Sequence, residues 1–266
     1  MIAAIRLVRL HNGIIAALGV LVGAWWAAGT VADPRTAFAA ASAVLLASFA
    51  NAFNDLCDVE IDRVAHPSRP LPREQLSARA AARIAWSAAA LGVVSSGLAW
   101  PALAAVSCVV IAAMALYSAR VKRAGVFGNL LVAVLASLPF LYGTWSVGAP
   151  SAAAPLLVIG IPLHFAREVA KDLDDAEGDV EARWTLPLAY GAKRARTVVV
   201  ISTIVAVAAL APLMLAHHLF AVLVTPAVVL CAIAAAQIAR GRAGGATLLK
   251  TAMVCAMLSL LVTRSS

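Results

Sequence analysis

Apolar residues fill this chain in nine long runs, separated by short polar connections. The runs lie at about 12–30, 36–54, 81–99, 101–118, 127–147, 153–168, 197–216, 218–239 and 246–263. Most approach the roughly 20 residues that an α-helix needs to cross a bilayer. Two divisions are thin: Trp100-Pro101 separates the third and fourth runs, and His217-His218 the seventh and eighth. The pattern predicts an all-α, polytopic membrane protein of nine transmembrane helices, with residues 1–266 forming one integral-membrane domain. Abundant alanine fits that reading, because small side chains let transmembrane helices approach closely.

Composition sharpens it. Of 266 residues, 63% are hydrophobic and 13% charged, with a mean hydropathy of +0.92. A soluble domain has no use for so much apolar surface, whereas a protein that faces lipid requires it. The formal net charge of +8 would suggest nucleic acid in a soluble chain. Here the basic residues fall in the connections, so they report topology and anionic ligands instead. With the N-terminus inside, the cytoplasmic segments hold Arg6 and Arg9, then Arg63, Arg69, Arg73, Arg79 and Arg83. They go on to hold Arg120, Lys122 and Arg123, the group from Arg167 to Arg196, and Arg240 and Arg242. The opposite side holds Arg35 and Arg264, and Lys250 falls within the ninth run. This asymmetry predicts a multi-pass protein of the cell membrane with a cytoplasmic N-terminus. Arg6 and Arg9 before an apolar run could imitate a secretion signal, but the run reads as a retained first helix. Cys57, Cys108, Cys231 and Cys255 show no paired-ligand spacing and read as small apolar residues.

The acids are more informative. Of thirteen Asp and Glu residues, only Asp33 lies outside two segments. One follows the second run, with Asp55, Asp58, Glu60, Asp62 and Glu74. The other follows the sixth, with Glu168, Asp172, Asp174, Asp175, Glu177, Asp179 and Glu181. The two lie four helices apart and trail into "RPLP" and "RWTLP", which suggests a duplicated four-helix unit. On a helix, Asn54, Asp58 and Asp62 share one face, as do Asp172, Asp175 and Asp179. Asp174, Glu177 and Glu181 fall off that face and read as solvated. Two opposed carboxylate faces repel, and a hard divalent cation relieves the repulsion. Mg²⁺ fits best, since it commonly bridges a few carboxylates to phosphate oxygens. Arg69, Lys122 and Arg167 lie at the same membrane side, where they could hold a diphosphate. The plain alternative is a set of ordinary solvated loop charges.

The residues of these segments resemble the UbiA superfamily of intramembrane prenyltransferases. Asn54, Asp58 and Asp62 match its first motif, with Asp55 also typical, and "REVAKDLDDAEGD" matches its second. Tyr117 and Lys122 of "YSARVK", followed by Gly128-Asn129, match a third element. "RLHN" resembles a fourth, with Leu10 where the family commonly has Pro. The resemblance covers the whole chain. It implies that Asn54, Asp58, Asp62, Asp172, Asp175 and Asp179 hold Mg²⁺ and that a polyprenyl diphosphate binds between the two Asp faces. It implies further that Lys122 and Arg69 bind the phosphates, and that Asn12, Asn54, Asp55, Tyr117 and Asp172 contact substrate. Asp58, Asp62, Asp175, Asp179 and Lys122 then carry the chemistry. Diphosphate departs, an allylic cation-like centre develops, and a lipid-soluble acceptor captures it while water is excluded. Phe53, Tyr117, Tyr142, Trp145 and Phe165 are candidates to line the site with aromatic faces.

The opening "RLHN…GIIAALGVLVGAW" and the second acidic string most resemble the ether-lipid branch of that family. Its members transfer geranylgeranyl from the diphosphate to the free hydroxyl of geranylgeranylglyceryl phosphate. An aromatic acceptor of hydroxybenzoate, naphthoate or quinolone type is the alternative. An ion transporter is the alternative of another class. It fits poorly, because the acids cluster at one membrane side and none sits mid-helix, where a transport site would need polar groups.

Overall fold

A computed structural model describes residues 2–120, 125–175 and 185–262. Its secondary structure is helical, and among the described residues nine helices are long and apolar enough to cross a membrane. A short helix, α1 (Ile2–Val8), stands at the start, and the first span, α2 (Leu10–Ala28), begins after Arg9. The second span is α3 (Pro34–Cys57), followed by the short α4 (Val59–Ala65). Spans α5 (Ala78–Ala99), α6 (Pro101–Ala119) and α7 (Val126–Ser146) come next. α8 (Ala154–Asp175), the short α9 (Leu186–Tyr190), α10 (Ala192–Ala216), α11 (His218–Ala239) and α12 (Gly245–Val262) complete the chain. Trp100 and His217 do separate consecutive helices, as the thin divisions in the sequence suggest.

Local chemistry sets several of the ends. Asp33 accepts from Arg35 N–H at 2.8 Å with Pro34 as the first residue of α3, and Ser77 accepts from Ala80 N–H at 3.2 Å at the start of α5. Both are N-caps that satisfy donors left over at a helix start.

The bundle packs inside out. On α5 the buried positions are all Ala, Gly or Ser, while Trp86, Leu91, Val94 and Leu98 are exposed. Lipid solvates the large apolar side chains, so the interior gains from close backbone approach rather than from bulk. The crossing of α2 and α7 is the tightest case. A Cβ on Gly143 would stand 2.0 Å from the Val20 carbonyl oxygen, and one on Gly23 would stand 2.3 Å from that of Phe140. Hydroxyls add interhelical bonds: Ser42 donates to Gly92 O at 2.8 Å, and Ser96, Ser107 and Tyr142 join α5, α6 and α7 in a buried chain. None of the four cysteines forms a disulfide, and Cys57 and Cys108 are exposed. In a bilayer an apolar thiol gains little by leaving a lipid-facing position.

The helix contacts repeat. α2 packs on α3, α3 on α5 and α5 on α6, and the same succession recurs as α7 on α8, α8 on α10 and α10 on α11. Short helices follow both α3 and α8 before the next span. This agrees with the duplicated unit suggested by the two acidic segments. α12 closes the ring by packing on α2, α8 and α11.

The α2–α7 crossing yields a direct test. Gly143→Ala forces the two backbones apart and is expected to cost about 1–3 kcal/mol. Gly97→Ala meets Ala104 Cβ at an ordinary 3.5 Å and should change stability by less than about 0.5 kcal/mol. Thermal unfolding of both variants in nanodiscs checks the difference.

Candidate active site

The first acidic segment behaves as one helical surface. Backbone bonds run from Asp58 N–H to Asn54 O at 3.0 Å and from Asp62 N–H to Asp58 O at 2.8 Å, carrying the helical path from α3 into α4. Asn54 Nδ2 donates to Asp58 Oδ2 at 3.0 Å, so the expected shared face is present. Asp55, Asp58 and Asp62 are all buried, at 2%, 4% and 0% exposure. Buried carboxylates need compensation, and arginines supply it. Arg9 donates to Asp55, while Arg69 pairs with Asp62 and lies 3.5 Å from Asp55. The other oxygen of Asp62, Oδ1, is buried with no hydrogen-bond partner.

Getting Arg9 there takes an unusual backbone. Arg9 adopts φ 50° and ψ 59°, a left-handed conformation, at the bend between α1 and α2. Such a conformation costs a non-glycine residue on the order of 1 kcal/mol and persists where surroundings fix it. Here Asn51 Nδ2 donates to Val8 O at 3.1 Å, and Arg6 donates to Ser68 O at 2.9 Å. The bend is thereby tied to α3 and to the turn that carries Arg69. The sequence places Arg9 in the topology signal and in the "RLHN" element; its positive φ and its pairing with Asp55 are visible only in three dimensions.

The second segment is the end of α8, which runs seven residues beyond the expected boundary to Asp175. Asp172 accepts from Asn129 at the start of α7 at 2.8 Å, and Lys171 lies 3.7 Å from Asp175. Asp174, expected to be solvated, is exposed but accepts from Gly244 N–H at 3.3 Å in the α11–α12 connection. Asp179, Lys122, Glu177 and Glu181 lie outside the described residues. His66 links the two segments. Burial and Arg69 hold its pKa below the ordinary value, while Asp62 on one side and Asp175 on the other oppose them. The two carboxylate faces therefore stand at one end of the bundle, within electrostatic reach of one ring.

A cavity of about 380 Å³ opens beside them, walled by α2, α3, α6, α7, α8 and α12. Its polar end carries Arg9, Asn12, Asn54, Tyr117, Arg167, Glu168, Lys171 and Lys250; its apolar wall includes Leu46, Val110, Met114, Leu135, Phe140 and Met257. Of the expected substrate contacts, Asn12, Asn54 and Tyr117 line the cavity. Asp55, Arg69 and Asp172 stand off its wall in ion pairs or hydrogen bonds, because unpaired buried charge is costly. Arg69, expected to meet phosphate, is turned onto Asp62. Among the aromatic candidates, Tyr117 and Tyr142 line the cavity. Phe53 packs instead with Phe49 and Trp86, at ring separations of 5.4 and 5.8 Å. Trp145 and Phe165 pack against the core. Phe140 was not expected at the site, and Lys250, marked in the sequence as a charge within the ninth run, was given no role there, although a lysine inside an apolar run is itself a signal.

The chain is similar to known proteins over nearly its whole length. The model of the UbiA prenyltransferase family matches residues 16–261. The digeranylgeranylglyceryl phosphate synthase of Halobacterium salinarum is 34% identical, covering 98% of this chain and 96% of its own. That of Methanoculleus marisnigri is 37% identical over 72% of this chain and 70% of its own. Among solved structures, a UbiA homologue from Aeropyrum pernix superposes with a TM-score of 0.83 at 19% identity, covering 96% of this chain and 98% of its own. A structure of digeranylgeranylglyceryl phosphate synthase gives 0.79 at 24% identity, covering 98% and 96%. With nearly its whole length matched, this integral, multi-pass membrane protein belongs to the UbiA prenyltransferase family.

Proposed function

We propose that this chain, acting as a single membrane domain, transfers geranylgeranyl from its diphosphate to the free hydroxyl of geranylgeranylglyceryl phosphate, a step of ether-lipid synthesis. The observation that carries the reading is the pairing of two carboxylate faces with an apolar cavity at one end of the bundle. A prenyl diphosphate has the same two ends, one polyanionic and one hydrocarbon. Relatives similar over nearly the whole chain are named for this activity, and a UbiA homologue of the same fold from Archaeoglobus fulgidus is described with GPP and Mg²⁺ bound.

The donor set fits Mg²⁺. Asp62 keeps one buried oxygen without a partner, and Asn54, Asp58, Asp172 and Asp175 offer oxygens on the facing surfaces. Among the described residues no three acids, cysteines or histidines form a closed metal cage. Mg²⁺ does not require one, since it completes its shell with phosphate and water oxygens. Bound there, with Asp179 as a further ligand, it would neutralise the carboxylates and the diphosphate together.

The chain's own groups do the rest. Arg69 and Lys122 donate to diphosphate oxygens, and for Arg69 this means exchanging Asp62 for phosphate. Asp58, Asp62, Asp175 and Asp179 would hold the metal at the mouth, and Arg69 and Lys122 together with it would give the leaving diphosphate a preorganised positive field. Tyr117 and Tyr142 present ring faces to the carbon at which positive charge develops. The apolar wall excludes water, which would otherwise capture that carbon. Asn12 orients the acceptor hydroxyl.

Orientation follows the arginines: the N-terminus and the site-bearing connections face the cytoplasm. In a cysteine-free background, Ser68→Cys should react with an impermeant maleimide from the cytoplasmic face, and Thr30→Cys from the opposite face. The activity test supplies geranylgeranyl diphosphate, Mg²⁺ and, in competition, geranylgeranylglyceryl phosphate and 4-hydroxybenzoate to protein in nanodiscs. Mass spectrometry should find the diether phosphate; a prenylated aromatic instead would overturn the acceptor assignment. EDTA should abolish turnover, and Asp58→Ala should lower it by more than about 100-fold. Arg69→Met should raise the KM for the diphosphate by at least about tenfold.

A further inference from the structure

Four cations line the cavity: Arg9, Arg167, Lys171 and Lys250. Three have carboxylates. Arg9 pairs with Asp55, Arg167 with Glu168 and Lys171 with Asp175. Lys250 has none among the described residues. Its ammonium donates to Asn12 Oδ1 at 3.0 Å, a neutral acceptor on a neighbouring helix. It lies in the second turn of α12, a membrane span, and Arg167 is close enough to repel it. Arg167 itself keeps Nε buried and without a hydrogen-bond partner.

A lysine within a transmembrane helix either reaches along the helix to the interface or serves a ligand or partner charge. Lys250 does not take the first course, since it is bonded across to α2 and lines the cavity. Arg167 beside it already has Glu168, and Lys250 adds a second cation with no second acid among the described residues, so the site is short of one anion. Its position says which. Arg167 precedes Asp172 by five residues on α8, about 7.5 Å along the helix, so this pair lies deeper than the carboxylate mouth. α12 packs on α2, α8 and α11, across the cavity from the Asn54–Asp58–Asp62 face on α3 and α4. A diphosphate held between the Asp faces would leave Lys250 unserved.

We infer that Lys250, with Asn12 and the free Nε of Arg167, forms a subsite for the phosphate monoester of the acceptor, separate from the diphosphate site. This rests on the glyceryl phosphate reading above. A phosphate monoester would take the Lys250 ammonium and the unpartnered Nε–H of Arg167, and the hydroxyl a few bonds away would then point toward the mouth, where the donor's reacting carbon lies. Lys250 thus selects a phosphorylated acceptor over a neutral one.

The test uses the whole chain in nanodiscs and compares the parent with Lys250→Met and Lys250→Arg. In EDTA, where no turnover occurs, geranylgeranylglyceryl phosphate should raise the parent's Tm and geranylgeranylglycerol should not. Lys250→Met should respond to neither while keeping an unliganded Tm at or above the parent's, because it removes a charge without a counter-ion. A lysine of merely structural role would lose stability instead. With Mg²⁺, Lys250→Met should raise the KM for the glyceryl phosphate about 10- to 100-fold, leave the KM for geranylgeranyl diphosphate within about twofold, and be largely rescued by Lys250→Arg. An unchanged acceptor KM overturns the subsite. So does a rise in the donor KM alone, which would assign the cation to the diphosphate. A parent that prenylates 4-hydroxybenzoate and not the glyceryl phosphate sinks the acceptor reading, and the phosphate assignment with it. A parent that makes the diether while Lys250→Met does so equally well sinks only the subsite.

Discussion

Buried carboxylates beside hydrocarbon are the constraint on which this structure turns. Asp55, Asp58 and Asp62 are almost wholly shielded from solvent at the end of an apolar bundle. Left alone, such groups would take up protons or unfold the helix ends that hold them. Arg9 and Arg69 prevent this, and their placement dictates much of the local architecture. Arg9 needs the left-handed bend after α1, and the bend needs its ties to α3 and to the turn after α4. At the second face the compensation is milder, through an amide from α7 and a lysine one turn away. Asp172 and Asp175 are accordingly less buried than the acids of the first face.

The cavity follows from the way the helices meet. Glycines bring α2 and α7 into backbone contact at one level. Beside that contact the side chains of Pro139 and Phe140 help wall a space that α3, α6, α8 and α12 also surround. Tight crossing and open cavity thus come from the same two helices, a few residues apart. Tyr142 belongs to both features: its hydroxyl is held by Ser107 in the interhelical network, and its ring forms part of the wall. Shape at the wall depends on polar bonds set deep between helices, where lipid cannot compete for them.

The repetition of helix contacts explains why there are two carboxylate faces and why they meet. Each four-helix half carries acids at the end of its second span, followed by a short helix and a Leu-Pro. Related halves packed around a common centre bring equivalent ends to the same side of the membrane. α12 stands outside that scheme and supplies Lys250, the one cavity cation without a carboxylate among the described residues. The asymmetry of the site, with donor and acceptor needing different walls, enters through this additional helix.

Much of this protein is written in its sequence because lipid makes one rule dominate. Every spanning segment must be long, apolar and internally hydrogen-bonded, so nine runs of hydrophobic residues could become little other than nine helices. The shared face of Asn54, Asp58 and Asp62 was equally legible, since helical period alone fixes it. Pairing across the bundle was not. That Arg69 turns onto Asp62, that Arg9 leaves the topology signal to bind Asp55, that Phe53 packs away from the cavity while Phe140 faces it: none of these has a local signature. Lys250 is the clearest instance. The sequence marks it as a charge in the wrong medium, but only the packing of α12 against α2 and α8 decides that it faces a cavity and which groups share it. Local periodicity is set by backbone geometry along one helix, whereas partner choice depends on how separate helices rotate and cross, which no single stretch of chain encodes.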